Sequence, residues 1–113
     1  MQQNRLVVVW LSADRRAAAD MALLYLRESL LAGDWQAAEL WLWGPPVILA
    51  AKDDALLAEL RETASLGVRL SACMDCAARY GVAQRLADEG IAVRGLSAEL
   101  TKLLRAREPL LLI

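Results

Sequence analysis

The chain has 113 residues, 58% of them hydrophobic, with a net charge of −1 and no histidine. That length predicts one domain, 1–113, with room for a core that needs no disulfide staples, and the near-neutral charge gives no electrostatic case for nucleic acid or an anionic membrane. The missing histidine excludes Ser-His-Asp and Cys-His nucleophile pairs, His general bases and mixed Cys/His zinc sites.

Arg5 to Leu11 is a continuous apolar, β-branched run of strand length, and its lack of polar alternation predicts burial on both faces. Ser12-Ala13-Asp14 breaks it, with Asp14 as a helix N-cap. Arg15 to Ala32 is then a helix rich in Ala and Leu, ended by Gly33-Asp34. It is apolar on more than one face, so one side can cover a sheet while another meets a second subunit. Ala37 to Trp43 is the second strand, with Trp41 and Trp43 on one face as core or as an aromatic subunit contact. Gly44-Pro45-Pro46 stops it. Val47 to Ala51 is a helical turn or a lid over the sheet's edge, and Asp53 to Ala64 is an amphipathic helix with Leu56, Leu57 and Leu60 on one stripe.

Val68 to Ala72 is the third strand, and Met74 to Glu89 the helix after it, closed by Gly90. Ile91 to Arg94 is a short fourth strand. Ser97 caps a last helix, Ala98 to Ala106, and Pro109 to Ile113 is a final strand. The order is β-α-β-α-β-α-β-α-β. Strict alternation predicts a three-layer α/β/α domain with a parallel five-stranded sheet and right-handed crossovers. Strand order does not follow from the pattern.

No stretch is long enough to span a bilayer: the longest uncharged run, Leu40 to Ala51, contains Gly44-Pro45-Pro46, and a spanning helix needs about 20 apolar residues. Met1 to Trp10 lacks the pattern of a secretory leader, so a cytoplasmic setting is expected. The hydrophobic share exceeds the usual roughly 45–50%, which predicts burial against other copies of the chain. No phosphate-cradling G-x-x-x-x-G-K-[ST] loop and no G-x-G-x-x-G after a strand is present, so no cofactor is expected. No metal is expected either, because a zinc site would need ligands from a second chain.

In a parallel α/β sheet, sites lie beyond the carboxyl ends of the strands. Residues 12–16, 44–47, 72–76 and 95–97 reach that edge. The only two cysteines, Cys73 and Cys76, stand there in C-x-x-C spacing where a strand turns into a helix. In the cytoplasm such a pair points to catalysis or metal binding rather than a structural disulfide. The helix N-terminus favours a Cys73 thiolate, and Arg15 or Arg16 adds positive charge if the first and third strands are neighbours. Asp75 works the other way. A free cysteine at a strand end is also at home as a small buried hydrophobe. Cys73 and Cys76 are the candidate reactive residues; Ser12, Arg15 and Gly44 are the candidate substrate-binding ones.

The stretch Cys73-Met74-Asp75-Cys76-Ala77-Ala78-Arg79-Tyr80-Gly81-Val82 resembles the DsrE/DsrF-like family, small α/β proteins related to the TusD, TusC and TusB sulfur-relay subunits. The shared pattern is a strand, a Cys, an Ala-rich helix start and a Gly eight residues after the Cys, here Cys73 and Gly81. Leu42-Trp43-Gly44-Pro45-Pro46-Val47-Ile48-Leu49-Ala50-Ala51-Lys52 is similar to the family's strand, Gly-containing turn and Val-Leu-Leu-x-x-Lys stretch. Glu89-Gly90-Ile91-Ala92-Val93 is similar to its last helix-to-strand joint. The resemblance covers nearly the whole chain. It implies a persulfide carrier: Cys73 would accept sulfane sulfur from a donor protein and pass it to an acceptor, within a homo-oligomer, a trimer or hexamer. Cys76 stands where the family commonly has Ala, and a thiol there would resolve a Cys73 persulfide into a disulfide. That pair also leaves open a thiol–disulfide redox switch, and the chain as a whole a non-catalytic oligomeric binding module.

Overall fold

A computed structural model describes residues 4–113. Strands β1 (Arg5–Trp10), β2 (Ala37–Leu42), β3 (Val68–Cys73), β4 (Ala92–Arg94) and β5 (Leu110–Leu112) form one parallel sheet in the order β4-β3-β2-β1-β5. All five predicted strands are present, each within a residue or two of its expected ends.

The strand order dictates the layering. From β1 to β4 the chain steps sheetwise in one direction, so right-handed crossovers put every intervening helix on one face. The step from β4 to β5 runs back past three strands, which puts its helix on the opposite face. The core divides accordingly. Leu6, Val8 and Trp10 of β1, with Leu40, Leu42, Leu70 and Ala72, pack against the helices of the first face. Val7, Val9, Trp41 and Cys73 pack against Leu96 and Leu103 on the second. The domain is thus a three-layer α/β/α structure with unequal outer layers. Trp41 is 0% exposed, so it is core; the alternative of a Trp41 subunit contact is overturned, because the single helix on that face already covers it.

The first-face helices depart from expectation in three places. Residues 15–31 are not a uniform α-helix: α1 (Arg15–Ala17) passes into six residues of π-helix (Ala18–Leu23) before α2 (Leu24–Leu31). Asp14 caps the start as predicted, accepting from the N–H groups of Arg16 and Ala17. The stretch after Gly44 is a full helix, α3 (Pro45–Lys52), begun by two prolines that the first helical turn tolerates. It is followed by α4 (Asp54–Ser65), capped by Asp53. The predicted helix from Met74 to Glu89 is broken at Gly81, whose φ of 67° is left-handed, into α5 (Met74–Tyr80) and α6 (Ala83–Asp88). Glycine pays no steric penalty there, and the turn ends α5.

Among the described residues, α7 (Ser97–Arg105) stands alone on the second face. Leu96 occupies its N-cap without a side-chain bond, so Ser97 is the first helical residue rather than the cap. No helix among the described residues is long and apolar enough to cross a membrane.

Candidate functional site

β3 alternates cleanly. Val68, Leu70 and Ala72 face the helical layer, so Arg69, Ser71 and Cys73 face the other side. Cys73 ends the strand and caps α5: its Sγ accepts from the Cys76 N–H at 3.4 Å. That is the geometry Ser or Asp makes at an N-cap, with sulfur in place of oxygen. The C-x-x-C spacing is therefore also the spacing of a cap and the third helical residue. Both cysteines are free thiols; Cys73 is buried at 6% exposure and Cys76 is half-buried.

The two cysteines share a pocket of about 320 Å³ at the carboxyl edge of the sheet. Trp43, just beyond β2, forms one wall. Asp75 and Arg79 of α5 form another, and Gly95, Leu96, Ser97 and Ala98, leading into α7, form the third. Residues 72–76 and 95–97, two of the four segments expected at this edge, meet here.

Ser12, Arg15 and Gly44 lie outside the pocket lining. β2 lies between β1 and β3, so the condition for Arg15 or Arg16 to assist Cys73 fails. Arg15 is committed to α4, donating to Asp53 at 2.6 Å and to Glu59 at 3.3 Å. Asp53 is held below the usual carboxylate range by the Leu56 N–H it accepts and by Arg15. Ser12 Oγ accepts from the Asp14 N–H at 3.0 Å, a local turn. Gly44 has φ 82° at the entry to α3, a conformation that glycine adopts freely.

The expected low-pKa thiol is also corrected. Burial pushes the Cys73 thiol up, the neighbouring Cys76 side chain pushes it further, and the N–H groups of Cys76 and Asp75 only partly offset them. The helix terminus supplies hydrogen bonds, but the loss of water outweighs them at this depth. At neutral pH the resting group is the thiol.

Composition gave no warning of a charged cluster below the pocket, on the same face of the sheet. Glu39, in the middle of β2, is only 7% exposed. It accepts from Arg5 Nη2, from Trp41 Nε1 at 3.0 Å and from Arg94 Nη2 at 3.3 Å. Arg94 also donates Nε–H to Ser71 Oγ at 3.0 Å and lies 5.5 Å from the Trp41 ring centroid. Burial favours protonation of Glu39. The hydrogen bonds from Trp41 and Arg5, and the charges of Arg5 and Arg69, outweigh it and hold the carboxylate ionised. The available signal was a lone acid inside an otherwise apolar strand, which needs a partner.

A larger groove of about 560 Å³ runs between the π-helical segment, α2 and α4. Its lining holds no cysteine. Among the described residues, no cluster of three or more Cys, Asp or Glu side chains is placed to hold a metal ion.

No family model matches the chain, and no curated protein matches it in sequence. Solved structures share its fold, two of them from proteins of unknown function. Protein MTH1491 of Methanobacterium thermoautotrophicum, of unknown function, superposes with a TM-score of 0.72 at 16% identity, over 96% of this chain and 98% of that one. The conserved protein BT1422 of Bacteroides thetaiotaomicron, also of unknown function, superposes with a TM-score of 0.94. With 31% identity over 97% of this chain and 95% of that one, the chain belongs to the same family as the Bacteroides protein.

Proposed function

We propose that the chain is a sulfur carrier of the DsrE/DsrF-like kind, relaying sulfane sulfur through Cys73. One observation carries the reading: the thiol lines a pocket at the carboxyl edge of a parallel sheet, with a second thiol one helical turn away. The chemistry needs no cofactor. A Cys73 thiolate attacks the outer sulfur of a donor persulfide, R–S–SH. The donor's S–S bond breaks, R–S⁻ leaves and takes up the proton that the Cys73 thiol gave up, and Cys73–S–SH remains. An acceptor thiolate then takes the outer sulfur and returns Cys73 as thiolate. Burial suits this role, because it shields the persulfide from water and adventitious thiols until a partner docks.

A cytoplasmic setting and self-association as a trimer or hexamer belong to the same reading. Two free thiols are at home in a reducing compartment, and exposed Met21, Leu24, Tyr25 and Leu31 give the first helix an apolar outer side.

The contact between the cysteines favours a second reading, a thiol–disulfide switch. Attack of Cys76 on the inner sulfur of a Cys73 persulfide would give the Cys73–Cys76 disulfide and release hydrosulfide. Intact mass after exposure to a sulfane-sulfur donor separates the readings. The carrier gains one sulfur, about 32 Da, in wild type and Cys76→Ser but not in Cys73→Ser. Loss of about 2 Da that requires both thiols gives the switch. An unchanged mass removes both and leaves a binding module.

A further inference from the structure

Arg94 and Cys73 are register partners across the parallel β3–β4 pair, so their side chains leave the sheet on the same face from strands about 4.8 Å apart. Yet the Arg94 guanidinium points down the sheet, away from the pocket. Glu39 and Ser71 bind it and Trp41 stacks against it, while Trp41 in turn meets Trp43 of the pocket wall with ring centroids 6.5 Å apart. The carboxylate holding it is not short of partners, since Arg5 and Trp41 also bind Glu39 and Arg69 lies beside it. Within the pocket lining the formal charges of Asp75 and Arg79 cancel. Arg79 is thus offset by Asp75, and Arg94, the register partner of Cys73, is the further positive charge on this face next to the sulfur's strand.

We infer that Arg94 is a positioning residue that selects anionic sulfur donors at Cys73, and that Glu39 and Ser71 hold it in reserve. The inference rests on Cys73 as the reacting thiol of the proposed carrier and names the substrate class: sulfane-sulfur donors that carry negative charge, rather than neutral polysulfides. The Cys73 thiolate takes their outer sulfur as their S–S (or S–SO₃) bond breaks, and the anionic remainder leaves with the electron pair. As negative charge arrives at Cys73, Arg94 exchanges its hydrogen bonds to Glu39 and Ser71 for the incoming anion. Arg5 and Trp41 keep Glu39 satisfied meanwhile. Lysine would supply the charge but not the fork that grips two partners at once.

The test uses two alkylating reagents of similar shape and different charge. Rates of Cys73 modification by iodoacetate and by iodoacetamide are measured at low salt, with fragment-ion mass spectrometry to separate Cys73 from Cys76. The ratio of the two rates cancels changes in exposure and thiol pKa and leaves the charge felt at the sulfur, so a residue that acts only through packing leaves it unmoved; Ser71→Ala then separates a guanidinium that moves from one whose fixed field reaches the pocket. Arg94→Gln should lower the iodoacetate-to-iodoacetamide ratio roughly threefold or more, and added salt should shrink the difference. Ser71→Ala, which changes no charge and keeps the fold if Glu39→Gln does not, should raise the ratio by freeing Arg94. The gain should vanish in the double variant with Arg94→Gln. An unchanged ratio in Arg94→Gln, or a gain in Ser71→Ala that survives without Arg94, overturns the inference. Persulfide formation is read separately by mass. A shifted ratio without a persulfide sinks the carrier, and the donor class with it, and leaves only a charge effect of Arg94 on the Cys73 thiol; a persulfide with a flat ratio keeps the carrier and overturns the inference.

Discussion

Cys73 does two jobs with one atom. Its sulfur caps α5, and the same burial that makes the cap productive keeps the thiol protonated. Because the folded-state pKa lies above the ordinary thiol value, the group's contribution to stability is fully present below the unfolded pKa. It is lost as pH rises through the folded one. The Cys76 side chain, the second cause of the upward shift, can be varied without touching the cap, whose donor is the backbone N–H. Cys76→Ser and Cys76→Ala both leave Cys73 as the sole thiol. Iodoacetamide rates against pH should give a Cys73 midpoint above the ordinary thiol pKa of about 8.5 in both variants, because burial remains, and below that of the wild type, because the Cys76 thiol is gone. A midpoint below the ordinary value in Cys76→Ser would mean that the helix N-terminus, not burial, dominates the site.

At the scale of elements, α5 owes its shape to its two ends. It begins on a sulfur cap and stops at Gly81, so Cys76 and Arg79 fall on the stretch that lines the pocket. The φ of 67° at Gly81 is what a side chain resists, and a Cβ there would meet no other atom within 4 Å. The cost of Gly81→Ala is thus conformational rather than a clash. Urea denaturation should show a loss of about 1–2 kcal/mol with an unchanged denaturant slope. A neutral substitution would show that the left-handed turn carries no strain for a larger residue. The break also lets α6 turn separately, where Leu86 joins the first-face core.

The whole molecule is lopsided. Among the described residues, six of the seven α-helices and the π-helical segment lie on one face of the sheet, and α7 covers the other. Both sides keep apolar surface. Leu31 is 70% exposed on the first helix, while Leu104 on α7 and Leu112 on the edge strand β5 are 59% and 56% exposed. Association of copies should bury at least about 1,000 Å² per contact to be stable. Light scattering at micromolar concentration should give a mass of three or six chains, and Leu31→Glu or Leu112→Glu should lower it if either side is used. A monomer at every concentration removes self-association and leaves the apolar surface to other partners.

Apolar runs of strand length, alternating with Ala- and Leu-rich helices, were enough to determine the element order and the parallel α/β class. Local rules also reached the Asp14 cap, the stop at Gly33-Asp34 and the cysteines at a strand-to-helix joint, since each depends on neighbours a few residues away. The Gly81 break was written in the chain too, but an apolar four-residue recurrence through Ala78, Val82 and Leu86 masked it. Only the tertiary structure decided the rest. Strand order removed Arg15 from Cys73 by placing β2 between β1 and β3, and no local pattern encodes which strands become neighbours. It also set the single-helix face, brought Glu39, Arg5 and Arg94 together from three strands that span a width of four, and buried Cys73 deeply enough to reverse the expected shift of its pKa. Charge and burial at a point in space depend on residues far apart in the chain, which is why composition and periodicity are silent about them.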